Sequence, residues 1–443
     1  MDTQVKIKFF TKEEDTSIQV NDTPLYVPTS LKRYGLSEVV NHLITKENPE
    51  HKITPFDFLI DGKLLRTSLS DYLTKNGLSS EAFISLEYTK AVLPPSFLAS
   101  FNNNDWISSL DTIKVGGDSK ILSGSYDGIV RIYDMSGKIE KQFSGHSSSI
   151  KSVKWITPSR LVSSGNDRQI RLWKNQTTDS IAEDDEDEDP EEGKTIALLE
   201  GHKAPVVSLD VNVQSNRILS ASSDNDIGLW STNYKEMNNI EVMAYDDNVI
   251  STSSKKRKKM AVKDATLRRK SPLSILTGHK QPVEDIIFDK MDNTVSYSVS
   301  QDHSIKTWDL VTGKVVDTRS TGFSLLSILQ KPTKNLIITG SSARHINLHD
   351  PRVNSEELIN SKLVGHSNMV VSLSDCTYND NMFISGSHDG YVKVWDIRSL
   401  NPLYTITREE NTKNVKIFDV AWDKEIGIIS GGSDKKLQIN KNI

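Results

Sequence analysis

The order of apolar and polar positions divides the chain into two unlike parts. From about residue 104 onward one phrase recurs: a short apolar strand, a tight turn carrying an aspartate, then a second strand that closes on an aromatic. It is clearest in Ile384-Ser385-Gly386-Ser387-His388-Asp389-Gly390-Tyr391-Val392-Lys393-Val394-Trp395-Asp396. Copies run from Ile121 to Asp134, Leu161 to Lys174, Ile218 to Ser231 and Tyr297 to Leu310. Alternation over such runs predicts paired strands. A lone hairpin is marginal in water, so the copies must stack and share a core. Their spacing of about 40 to 46 residues, interrupted twice by inserts, suits a four-stranded unit.

The first 91 residues follow a different order. Val5 to Phe10 alternates as a strand, and Ser17 to Val20 reads as its partner. Val39, Val40, Leu43 and Ile44 form one helical face, with Ser37 as the N-cap. Pro55 to Ile60 and Lys63 to Leu65 form a hairpin about Asp61-Gly62. Leu69 to Leu73 is a helical turn ended near Gly77, and Ala82 to Tyr88 is a last strand. Strand, strand, helix, strand pair, short helix, strand is the order of a β-grasp domain. The stretch FLIDGKLLRTSLSDYLTKNGL resembles ubiquitin, so a small α+β ubiquitin-like domain is expected over residues 1–91. It ends at Ala91 without a Gly-Gly tail, and Pro94-Pro95 marks a linker.

The turn aspartates are Asp127, Asp167, Asp224, Asp302, Asp389 and Asp434, with Ala343 where a seventh belongs. Gly-His pairs precede four of them, at His146, His202, His279 and His366. The closing aromatics are Tyr133, Trp173, Trp230, Trp308 and Trp395. These residues resemble the WD40 family, which implies a mainly β chain with a seven-bladed propeller over residues 104–443. In that family the histidine, aspartate and aromatic are structural and hydrogen-bond within each blade. Blades 1, 5 and 7 lack the Gly-His, and blades 5 and 7 put His349 and Asn440 in the aromatic position. These three are expected to be less firmly held and free for partner contacts. The third strand of blade 7 ends the sequence, so its outer strand is expected from residues 92–103, which closes the sheet edges.

Ser387-His388-Asp389 spells a hydrolase triad, but chain neighbours rarely converge on one substrate atom. No P-loop, HExxH or GxSxG motif occurs, which argues against an enzyme. The single cysteine, Cys376, builds neither a disulfide framework nor a CxxC metal site. No apolar run of membrane-spanning length exists, so no membrane partner is expected. The net charge of −5 hides two segregated blocks. An acidic insert at about 175–196 contains Glu183 to Glu192, which repels itself and stays solvated. A basic insert at about 232–270 carries Lys255, Lys256, Arg257, Lys258 and Lys259, then Arg268, Arg269 and Lys270. That spacing suits a two-part nuclear import signal or direct contact with RNA phosphates.

LKRYGLSEVVNHL, PFDFLIDGKLLRTSL, YLTKNGLSSE, GHKAPVVSLDV and SVSQDHSIKTWDLV resemble the Ytm-type family of WD-repeat ribosome-biogenesis proteins. The resemblance implies a non-enzymatic assembly factor for the large ribosomal subunit, in the nucleolus and nucleoplasm. The propeller would bind a Bop-type WD-repeat protein and, through it, Pescadillo. The ubiquitin-like domain would dock on the MIDAS domain of midasin, an AAA ATPase that releases such factors from the pre-ribosomal large subunit. In the family motif the glutamate ending GLSSE, here Glu81, donates a carboxylate in trans to the partner's cation. The chain would have no cofactor of its own, sharing Mg²⁺ at that interface. The alternative is a ubiquitin-pathway adaptor whose propeller recruits substrate.

Overall fold

The computed structural model describes residues 3–441 apart from 14, 22, 49–50, 80, 176–192, 241–266, 353–361 and 409–413. The chain forms two units that part at Pro94 and Pro95.

In the first unit, β1 (Gln4–Phe10), β2 (Leu25–Pro28), α1 (Arg33–Glu47), β3 (Phe56–Ile60), β4 (Lys63–Leu64), α2 (Leu69–Lys75) and β5 (Phe83–Lys90) follow in sequence. The sheet order is β2-β1-β5-β3-β4, with β5 central and parallel to β1. Val5, Ile7 and Phe9 alternate into the core against Leu36, Val40 and Ile44, one face of α1. Two expectations are corrected. Residues 16–18 form a 3₁₀ turn because the Asp15 carboxylate accepts from Ser17 N–H at 3.0 Å, which competes with strand pairing. The partner of β1 is β2, which carries Pro28 at the sheet edge, where a missing donor is tolerated. Ser37 is not a cap either, since α1 begins at Arg33. Its hydroxyl accepts from Phe56 N–H at 3.1 Å and ties the helix to β3. Asp61 and Gly62 both have positive φ, 50° and 75°, as a tight two-residue hairpin turn requires.

The second unit is a ring of seven sheets, a WD40 propeller. β6 (Ser96–Asn102) is followed by blade 1, made of β7 (Ile107–Val115), β8 (Asp118–Ser125), β9 (Ile129–Tyr133) and β10 (Ile139–Ser144). Six further sheets begin at Ile150, Val206, Val283, Leu325, Val370 and Ile417. Each first strand packs beside the next, and that of blade 7 packs beside β7, so the ring closes. β6 pairs antiparallel with Lys436–Lys441 and supplies the fourth strand of blade 7. Blade 2 has a fifth strand, Arg268–Lys270, parallel to Lys194–Leu199.

The inner strands are laced together by side chains. Asp111 accepts from Trp155 N–H of the next blade at 2.6 Å, Asp210 from Phe288 N–H at 2.7 Å, and Asp285 from Ile328 N–H at 2.9 Å. Asp419 completes the circle by accepting from Leu110 N–H at 2.7 Å. Serines bridge other junctions: Leu209 N–H donates to Ser152 and Val420 N–H to Ser372, each at 3.2 Å. These carboxylates answer backbone donors that the narrow end of each sheet leaves over.

Candidate functional site

After α2, Gly77 takes a positive φ of 65° and reverses the chain. Leu78 N–H then donates to Leu73 O at 2.9 Å. The Ser79 hydroxyl accepts from Glu81 N–H at 3.0 Å, and Ala82 N–H donates to Ser79 O at 3.1 Å. Two residues later the chain enters β5, the central strand. Glu81 therefore stands on a short turn anchored at both ends, exposed to solvent. Among the described residues, none bonds to its carboxylate. No group of three or more His, Cys, Asp or Glu among those residues could hold a metal. An exposed carboxylate of this kind offers oxygen, the ligand type that hard cations take.

The repeat residues form a different kind of site. In blade 6, Asp389 accepts from His366 Nδ1 at 2.8 Å, His366 Nε2 meets Ser385 Oγ at 2.7 Å, and Trp395 Nε1 donates to the same oxygen at 2.7 Å. The same sets are His146, Asp167, Ser163 and Trp173 in blade 2, and His202, Asp224, Ser220 and Trp230 in blade 3. His279, Asp302, Ser298 and Trp308 repeat it in blade 4. Each serine donates to histidine while accepting from tryptophan, so every buried polar atom of the set is answered. Burial pushes the Asp302 carboxyl up, but bonds from Ser304, Lys280 N–H and His279 outweigh it and hold the group at about 2. Burial lowers the His279 imidazole. Ser387, His388 and Asp389 do not cooperate: Asp389 bonds His366, and Ser387 Oγ donates to Asn368 O.

Blades 1 and 7 hold their turns with arginine instead of histidine. Buried Arg131 donates to Asp127 at 2.6 Å. Arg408, also buried, donates to Ser430 Oγ at 3.0 Å and ion-pairs with Asp434 at 3.1 Å. Asp434 and Asp127 thus keep their role without a Gly-His, and the expected looseness of these two blades is corrected. In blade 5 Thr339 Oγ1 meets His349 Nε2 at 3.0 Å, and the turn is held by Ser341 Oγ, which donates to His345 O at 2.7 Å, and by the contact of His345 Nδ1 with Ala343 O at 3.0 Å. Neither arginine was legible from the sequence, since charged residues are seldom fully buried and no fixed spacing marks them.

Inside the ring lies a cavity of about 550 Å³ lined by Lys154, Asp210, Asp285, Asp419 and Glu284. Burial works against the Lys154 ammonium, but Asp111, Asp210, Asp419 and Asp285 outweigh it and keep the group charged. Burial raises Asp285 to about 6. Beside the cavity Trp106, Tyr126 and Phe418 cluster, with ring centroids 5.4 to 5.8 Å apart, and Trp106 stays 41% exposed.

The basic residues separate. Lys255, Lys256, Arg257, Lys258 and Lys259 lie outside the described residues, as does the acidic run from Glu183 to Glu192. Arg268, Arg269 and Lys270 belong to blade 2 rather than to a free insert. Arg268 donates to Tyr234 Oη at 2.7 Å, Arg269 pairs with Glu200 at 3.5 Å, and buried Lys270 donates to Met237 O at 2.9 Å. With its ammonium under the surface, Lys270 has no reach to a phosphate.

Residues 5–73 match the family described as the NLE (NUC135) domain. Residues 95–134, 137–174, 193–231, 270–309 and 357–396 match the WD domain, G-beta repeat. The five matched segments end on the strands that carry Tyr133, Trp173, Trp230, Trp308 and Trp395. Over 99% of its length the chain is 66% identical to the ribosome biogenesis protein YTM1 of Candida albicans, covering 97% of that protein. The same figures hold for the YTM1 protein of Debaryomyces hansenii. For that of Saccharomyces cerevisiae the identity is 59%, over 99% of this chain and 97% of the relative.

Proposed function

The chain belongs to the YTM1 family of ribosome biogenesis proteins, and from that premise we propose that it is a non-enzymatic assembly factor of the large ribosomal subunit. Its propeller binds a Bop-type WD-repeat protein, and Pescadillo through it. Its ubiquitin-like domain docks on the MIDAS domain of midasin, so that ATP hydrolysis in that partner pulls the factor off the pre-ribosome. It works in the nucleolus and nucleoplasm, and Lys255 to Lys259 serve its import. The polar residues of the repeat support a non-enzymatic role, because each is engaged in holding its own blade.

One observation carries the docking reading: Glu81 is exposed, held by its own turn, and its carboxylate has no partner among the described residues. Mg²⁺ demands near-ideal geometry at about 2.0–2.1 Å. Shortening the side chain by one methylene withdraws the oxygen from that range. Glu81→Asp and Glu81→Ala are therefore both expected to abolish Mg²⁺-dependent capture of the midasin MIDAS domain, with an unchanged unfolding temperature. Capture of Glu81→Ala at the level of the unaltered protein would overturn the reading.

A further inference from the structure

One face of the propeller is basic, although the whole chain carries a net charge of −5. In blade 2, Ile150 pairs with Gly165, Ser164 with Ile170, and Ile170 with Leu199. The start of the first strand, the turn after the second and the end of the fourth therefore stand at one level. The other blades repeat this order, so these turns and the loops between blades share one face of the ring. Lys151, Arg168, Lys203, Lys280, Arg344 and Lys416 stand on it. Its acids are largely spent: Asp127 answers Arg131, Asp167 answers His146, and Asp105 faces Lys435 at 3.7 Å. Asp226 and Glu284 offset only part of the charge. Arg168 and Arg344 take positive φ, 66° and 68°, at the turn position where blades 1 and 6 have Gly128 and Gly390. Neither guanidinium has a hydrogen-bond or ion-pair partner among the described residues. Both are exposed, and they contribute no bond to their own blades.

The aromatic cluster of Trp106, Tyr126 and Phe418 lies on this same face, at the mouth of the cavity. Lys151 Nζ donates to Tyr126 Oη at 3.2 Å and lies 4.8 Å from the centre of that ring. On the other side of the cluster, His388 meets Phe418 edge-on with ring centroids 5.6 Å apart. Burial and the nearby Lys416 charge lower the His388 imidazole, which keeps it neutral. A half-open indole thus stands between two ammonium groups. Single-stranded nucleic acid fits such a surface, because its base faces are bare and a phosphate follows every base. A duplex hides those faces. An acidic run of protein brings charge but no flat base to lay on the indole. We propose that this face binds single-stranded RNA, with a base on Trp106 and phosphates on Lys151, Lys416, Arg168 and Arg344. The surface uses neither Glu81 nor Lys255 to Lys259.

The test follows the fluorescence anisotropy of a labelled, mixed-sequence oligoribonucleotide of about 12 nucleotides. The protein is the full chain with Lys255 to Lys259 replaced by alanine, so that this basic run contributes no binding. Arg168→Glu and Arg344→Glu are each expected to weaken binding about tenfold or more. Lys416→Ala should reduce the slope of log affinity against log salt by about 0.7, one phosphate contact fewer. Trp106→Ala should weaken binding roughly five- to a hundredfold, the range for one stacked base, and Trp106→Phe should keep most of the affinity. Lys314→Glu, at the far end of blade 4, should change nothing. If Trp106→Ala lowers the unfolding temperature, the two arginine variants decide the matter, since their side chains are exposed. Absence of binding overturns the proposal, as does full affinity in both arginine variants or in a folded Trp106→Ala. Equal affinity for a duplex of the same length also overturns it. So does displacement of the RNA by a polyglutamate peptide of equal charge, which would make the face a site for acidic protein.

Discussion

Ser385 answers two buried groups at once, the His366 imidazole and the Trp395 indole N–H. Ser385→Ala removes a single oxygen but leaves two atoms, His366 Nε2 and the indole N–H, unpaired. The expected loss is about 1–3 kcal/mol, read as a lower urea midpoint with an unchanged slope. His349 gives a pH signature. Burial, aided by the nearby Arg319 charge, lowers its imidazole to about 4 from an ordinary 6.5. The unfolded chain therefore binds a proton that the folded chain refuses between those values. The stability this neutral histidine contributes is complete above pH 6.5 and is lost as pH falls toward 4, on the order of 3 kcal/mol in all. Asp285, raised by burial, acts with the opposite sign in much of the same window, so total stability hides the effect. The difference between the unaltered chain and His349→Phe, followed by urea unfolding from pH 7 to 4, isolates it. His349→Phe should lose less on acidification. At this scale the turn aspartates and closing tryptophans were legible, because hairpin chemistry is local. Arg408 was not: it reaches Asp434 across 26 residues and reads in sequence as an ordinary surface charge.

Among the elements, the ones that sequence missed are those whose pairing overrides their composition. Leu25–Pro28 is short and contains a proline, yet the outward edge of β1 accepts it. Arg268–Lys270 reads as a charge run, yet its backbone completes the edge of blade 2 while its three side chains find Tyr234, Glu200 and Met237 O. A charged strand at a sheet edge also discourages further pairing. Arg408 is the element-scale pin of blade 7, joining its turn to its second strand. Arg408→Met is expected to leave Asp434 uncompensated and to destabilise by about 3–5 kcal/mol, the range for halving a buried ion pair. Circular dichroism melting would register it as an early transition of the propeller.

For the whole molecule, the two units were legible because their periodicities differ and two prolines separate them, and the ring of seven followed from counting turns. Glu81 was not legible from the residues alone, since an exposed glutamate is unremarkable in any loop; the resemblance singled it out. If the chain is an assembly factor, it should cosediment with large-subunit precursors. Association with ubiquitin ligases in their place would favour the substrate-adaptor reading. Replacing Lys255 to Lys259 with alanine should leave a fluorescent fusion in the cytoplasm, and unchanged nuclear entry would refute the import role. The closure of blade 7 reaches beyond the finished fold. Ser96 Oγ donates to Lys441 O across 345 residues. At about 5–20 residues per second, a ribosome needs roughly 20–70 s to deliver the second strand of that pair after the first. Through that interval the ubiquitin-like domain has all its strands, while β6 waits with its backbone unpaired until Lys436–Lys441 arrives, and every blade lacks a finished ring. The nascent chain thus presents an open sticky strand for most of its synthesis, a natural client for a chaperone acting at the tunnel exit.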